Sequence, residues 1–150
     1  MAICRSKRGK LSLLRGATSA PGQAALNIAA NAGTNVIATT RNKARFEKLL
    51  GLGAQKVEIE SPGLCNLLPE AKKVDVVRDP AGISTLLDSN CHSTSAWGAS
   101  AGPVGWGGLE PVQDFNPLLK IASGIHFSLF GSFVFGTQEF PYQKFRSRRL

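Results

Sequence analysis

Two short stretches carry the residues that could do chemistry. The first is Gly16-Ala17-Thr18-Ser19-Ala20-Pro21-Gly22, which follows "LSLLR" and precedes a helical pattern. A strand that feeds a small-residue turn into a helix presents backbone N–H groups and the positive end of the helix to one point, and so makes an anion site. Gly16 suits the tight turn and Gly22 the close packing of helix on strand. Ser19 and Ala20 stand between them and are small enough for a phosphate to approach the backbone. The hydroxyls of Thr18 and Ser19 can donate to phosphate oxygens. The same pattern fits a plain strand-to-helix turn whose small residues serve packing alone.

The second stretch, Thr39-Thr40-Arg41-Asn42-Lys43, ends the β-branched run "NVIATT". In dinucleotide folds an acid at this place holds the ribose 2′-OH of NAD, whereas a nearby arginine accommodates the 2′-phosphate of NADP. No acid occurs here before Glu47. The planar guanidinium of Arg41 suits bidentate phosphate binding, Thr40 can add a hydroxyl and Lys43 a point charge. Read with the loop upstream, these residues favour NADP(H) over NAD(H). The alternative is that Arg41 and Lys43 are solvated charges at a helix start.

The elements around these stretches alternate. "LSLLR" (11–15) reads as a buried strand, and 21–32 as a helix with Pro21 in its first turn and Leu26, Ile28, Ala29 and Ala32 on its apolar face. "NVIATT" (35–40) is a second strand. "NKARFEKLLGLG" follows as an amphipathic helix with Phe46, Leu49 and Leu50 on one face. "KVEIE" (56–60) and "VDVV" (74–77) give a third and a fourth strand, separated by a loop with a helical turn. This rhythm predicts an α/β, Rossmann-like doubly wound parallel sheet with right-handed crossovers. From about Ser89 to Gly105 the aliphatic periodicity disappears, so the sheet is expected to be incomplete around residues 89–105. The domain reading is a basic N-terminal segment (1–10), a dinucleotide-binding domain (11–141, disrupted over 89–105) and a basic tail (142–150).

A chain of 150 residues suffices for one domain with a core. The net charge of +8 invites a nucleic-acid reading, but the excess lies at the two ends. Arg5, Lys7, Arg8 and Lys10 open the chain, Lys144, Arg146, Arg148 and Arg149 close it, and the body between is formally neutral. Neither a nucleic-acid nor a membrane partner is expected. Cys4, Cys65 and Cys91 form no CxxC pair, which suits free thiols and a cytoplasmic protein. The adjacent Cys91-His92 lacks zinc-ligand spacing, and His126 alternates with apolar residues, so no metal site is expected. No nucleophile–base set emerges, Tyr142 included, and no catalytic residue is assigned.

The stretch "LLRGATSAPGQAALNIAANAGTNVIATTRNKARFEKLLGLGAQKV" resembles the cofactor-binding half of the medium-chain dehydrogenase/reductase superfamily, in its quinone-oxidoreductase-like and zinc-binding alcohol dehydrogenase branch. The likeness continues through "VDVVRDPAGISTLLDS" and resumes at "GGLEPVQDFNPLLK" and "HFSLFGSFVFGTQEFP". The resemblance implies NADP(H) binding and hydride transfer to a small-molecule quinone, enone or carbonyl. It implies a phosphate loop at Gly16, Thr18, Ser19, Ala20, Pro21 and Gly22, 2′-phosphate contacts at Thr40, Arg41 and Lys43, and cofactor neighbours from Asp79 to Gly82. It also implies a homodimer through residues 125–135.

Three departures qualify the implied activity. The family's GroES-like catalytic domain has no counterpart, so the chain is expected to be a truncated enzyme or a non-catalytic nucleotide-binding or interaction remnant. Pro21 stands where the family has an aliphatic residue, which removes one N–H from the loop. Residues 89–105 diverge between matching flanks, as a shifted reading frame or an altered exon boundary would produce.

Overall fold

The computed structural model describes residues 8–89, 114–121, 123–125 and 127. Four strands, β1 (Leu11–Leu14), β2 (Asn35–Thr40), β3 (Lys56–Ile59) and β4 (Val76–Arg78), form one parallel sheet in the order β3-β2-β1-β4. Helices α1 (Ala20–Asn31) and α2 (Phe46–Gly51) connect β1 to β2 and β2 to β3, α3 (Leu64–Leu67) precedes β4, and α4 (Ile83–Ser89) follows it. A short α5 covers Pro117–Lys120. The chain steps outward from β1 to β3 and then crosses back to place β4 on the other side of β1. In such sheets the ligand crevice lies at the carboxyl ends of the strands, where the order reverses.

Side-chain alternation on the strands builds two cores. Leu14, Val36 and Ala38 face one way and pack with Leu26 and Ala29 of α1 and Leu49 of α2. Leu13, Ile37 and Val77 face the other way and pack with Leu68, Ala71 and Val74. Both faces of the central strands are therefore covered, which is why β1 and β2 read as continuous apolar runs. The sequence expectation of an α/β doubly wound parallel sheet is met.

The elements differ from expectation in three places. The buried stripe of α1 is Gly22, Leu26 and Ala29, and Ile28 is exposed, because two residues along a helix turn a side chain about 200° away from Leu26. The helix expected over 42–53 begins as a 3₁₀ turn at Lys43–Arg45, capped by the Asn42 side chain, which accepts from the Ala44 amide. Leu50 lies exposed while Leu49 is buried. The fourth strand starts at Val76, since the Val74 amide still closes the turn onto Ala71. Residues 90–105, with Cys91 and His92, lie outside the described residues, as do His126, Tyr142, both basic termini beyond Arg8 and nearly all of 125–135.

Candidate functional site

The turn from β1 into α1 is built by its own hydrogen bonds. Gly16 sits at φ +64°, a conformation that favours glycine. Ser19 is the N-cap of α1: its hydroxyl accepts from the Gly22 amide at 3.1 Å and donates to the Gly16 carbonyl at 2.9 Å. The expectation that this hydroxyl reaches a phosphate runs against that geometry, because the cap already engages it on both sides. Gly22 is buried beneath the turn; a Cβ there would overlap the Gly16 carbonyl oxygen and lie 2.9 Å from the Ala17 Cα. The close approach of helix to turn thus requires glycine.

Neighbouring strands hold the turn from outside. The Ala17 amide donates to the Thr39 carbonyl at 3.0 Å, and the Gly16 amide to the Thr39 hydroxyl at 3.2 Å. A Cβ on Gly16 would meet the Ala81 Cβ at 3.4 Å, so the turn after β4 lies against the turn after β1. The amides of Thr18 and Ala20 have no acceptor among the described residues. No acid occupies the first turn of α1. Pro21 is the second helical residue, where an N–H lacks an intrahelical partner in any case.

The remaining predicted residues divide by burial. Arg41 and Lys43 are exposed just beyond β2. Thr40 is buried, and its hydroxyl accepts from the Asn42 amide at 3.1 Å, which shapes the turn that presents Arg41. Asp79 is fully buried at the end of β4. One of its oxygens accepts from Ala81 N, Gly82 N and the Thr85 hydroxyl, and the other from the Ser89 hydroxyl at 2.6 Å. Its carboxylate holds the β4–α4 turn. Gly82, at φ +98°, forms the same turn.

One functional group escaped the sequence reading. Arg15, only 1% exposed, lies directly before the turn and pairs with Glu60 beyond β3 and with Asp88 of α4 at 2.6 Å. It also donates to the Ser89 hydroxyl and the Thr85 carbonyl. Burial disfavours its charge, but hydrogen bonding and proximity to Glu60 and Asp88 outweigh this and raise its pKa further. Glu60 accepts in addition from the Thr39 hydroxyl at 2.6 Å. Polar side chains therefore run across the carboxyl ends of all four strands, from Glu60 through Thr39 and Arg15 to Ser89 and Asp79. Its mark in the sequence is an arginine at the end of the largely apolar run Leu11–Leu14.

Among the described residues no three metal-ligating side chains assemble. No helix among them is long and apolar enough to cross a membrane.

The fold is shared with solved oxidoreductases. A probable oxidoreductase from Mycobacterium abscessus is similar at a TM-score of 0.59 and 27% identity, over 83% of this chain and 35% of that one. An Escherichia coli quinone oxidoreductase, solved in complex with NADPH, has a TM-score of 0.60 at 22% identity, over 84% of this chain and 38% of its own. An NAD-dependent alcohol dehydrogenase gives 0.63 at 21% identity, over 84% and 36%. The chain thus spans little more than a third of the length of these structures. No family model matches the chain, and no curated protein sequence does. The likeness to quinone oxidoreductases and alcohol dehydrogenases expected from the sequence is met by these structures in their fold.

Proposed function

We propose that the chain binds NADP(H) at the carboxyl ends of its strands, as the cofactor-binding part of an oxidoreductase that transfers hydride to a quinone, enone or carbonyl. The observation that carries this reading is the junction of two features at Thr39. Its carbonyl and hydroxyl take the Ala17 and Gly16 amides of the turn, and two residues further along the chain stands Arg41, exposed. A pyrophosphate fits the turn, where the Thr18 and Ala20 amides lack acceptors among the described residues and no acid opposes an anion at the helix start. Arg41, where an NAD-binding fold has an acid, supports the 2′-phosphate. Among the structural neighbours one is a quinone oxidoreductase with NADPH and another is NAD-dependent, so the preference rests on Arg41 and not on them.

The bound nicotinamide would supply the hydride chemistry. The chain's own residues bind and orient: the loop amides hold the pyrophosphate, Arg41 and Lys43 the 2′-phosphate, and Asp79 keeps the β4–α4 turn against Gly16.

Fluorescence titration with NADPH and NADH tests the reading. NADPH is expected to bind more tightly, and Arg41→Ala to weaken NADPH by about ten- to hundredfold while leaving NADH nearly unchanged. Equal losses for both would end the case for NADP preference, and no binding of either would end the cofactor reading. NADPH binding without reduction of quinones or enones would assign the chain a nucleotide-binding role without turnover.

A further inference from the structure

We infer that Thr39 is the positioning residue of the dinucleotide site: its hydroxyl, oriented by Glu60, fixes the Gly16 amide and so sets the shape of the phosphate turn. The inference rests on the proposed nucleotide binding at that turn. Thr39 is distinct in this from Thr40, equally buried, whose oxygen serves the Asn42 turn.

A hydroxyl has one hydrogen to give and lone pairs to accept with. The Thr39 hydroxyl gives its hydrogen to Glu60 Oε2 at 2.6 Å, which is a short, charge-assisted bond. That fixes the hydroxyl rotor and leaves its lone pairs for the Gly16 amide, 3.2 Å away. Glu60 is itself held by Arg15, whose Nε donates to the same Oε2 at 3.3 Å and whose Nη2 donates to Oε1. Arg15 is anchored on its far side by Asp88 and Ser89. The chain of bonds starts on α4, passes the carboxyl ends of β1 and β2 to Glu60, and returns through Thr39 to the residue after Arg15.

Its effect on the turn is local and directional. Gly16 and Ala17 are turned inward to the Thr39 hydroxyl and carbonyl. Thr18 and Ala20 remain as the turn's amides without acceptors among the described residues. A turn whose donors are fixed before the ligand arrives binds without paying to order them. Because the pyrophosphate is common to both cofactors, the Thr39 relay acts on NADPH and NADH alike, whereas Arg41 acts on one.

The experiment compares Thr39→Val, Thr39→Ser and Glu60→Gln with the unaltered protein. NADPH and NADH affinities are read by fluorescence titration well below each variant's unfolding temperature, and the Gly16 amide by hydrogen exchange without cofactor. Thr39→Val, which keeps shape and removes the hydroxyl, is expected to weaken both cofactors by about tenfold and to speed Gly16 exchange. Thr39→Ser is expected to restore both readouts. Should Thr39→Val fail to fold, Glu60→Gln carries the test, with a loss of several-fold for both cofactors and faster Gly16 exchange. Unchanged affinities in a folded Thr39→Val or Glu60→Gln protein would overturn the positioning role while leaving the proposed function intact. A loss confined to NADPH would overturn it too. If the unaltered protein binds neither cofactor, the proposed function falls and the inference with it.

Discussion

Arg15 and Glu60, on either side of β2, meet in a two-pronged ion pair beneath the turn at the end of β1. The arginine is almost wholly enclosed, and Asp88 satisfies its other edge. Such a cluster contributes little by its mere presence, since removing two charged groups from water costs about what their attraction returns. Its consequence appears when one member is removed.

Arg15→Met tests this. It leaves Glu60 and Asp88 facing each other across a space that no cation fills, and it strips the Ser89 hydroxyl and Thr85 carbonyl of a donor. The expected cost is about 3 kcal/mol in urea unfolding, tempered because both carboxylates retain some contact with water. Adding Glu60→Gln and Asp88→Asn to Arg15→Met is expected to recover part of that loss. A destabilisation below about 1 kcal/mol would show that the pocket readily rehydrates.

Gly22→Ala probes the packing of α1 on the turn. An alanine Cβ overlaps the Gly16 carbonyl oxygen and comes within 2.9 Å of the Ala17 Cα and the Ser19 hydroxyl. Two of these three atoms are backbone and cannot swing away. The expected loss is about 1–3 kcal/mol, as for other overpacked sites, despite alanine's better helix propensity. Gly51→Ala, at a helical glycine with open space around its Cβ position, is the control and is expected to be neutral or mildly stabilising.

These features were unequally legible in the sequence. β2 was readable to the residue because "NVIATT" is rich in β-branched residues, and Gly16 and Gly22 declared the turn through their spacing. The role of Arg15 was hidden because its partners lie 45 and 73 residues away, and only the sheet order brings them together. Ser19 reads as a phosphate donor because a hydroxyl in a loop carries no mark of whether the backbone has already engaged it. Ile28 and Leu50 are placed by the sequence on the apolar faces of their helices, yet the helical phase of each turns it to solvent.

A surface ion pair gives a pH prediction of definite sign. Lys56 bridges Glu58 and Glu70, and its hydrogen bond holds the Glu70 carboxyl below the usual glutamate range. A carboxyl with a depressed folded-state pKa stabilises the protein above its unfolded pKa, and that contribution disappears as pH falls through the folded value. Glu70→Gln is therefore expected to be less stable than the unaltered protein at neutral pH by a few tenths of a kcal/mol, the pair being solvated. The gap should close towards acid and shrink in high salt. A gap that persists at low pH would show that the glutamate acts through something other than its charge.

Pro21 decides how much of the turn is available to an anion. As the second residue of α1 it costs the helix no internal hydrogen bond, and its fixed φ restricts the unfolded chain. Its ring also replaces an N–H that the helix start would direct towards a bound phosphate. Pro21→Ala returns that donor without altering the Ser19 cap, which rests on Gly22. The variant is expected to lose up to about 1 kcal/mol of stability and to bind NADPH and NADH about tenfold more tightly. That opposition separates the two roles, because a general loosening would weaken both stability and affinity. Unaltered affinity would place the pyrophosphate on the Thr18 and Ala20 amides alone, and the proline would then be a helix-start residue with no bearing on the ligand.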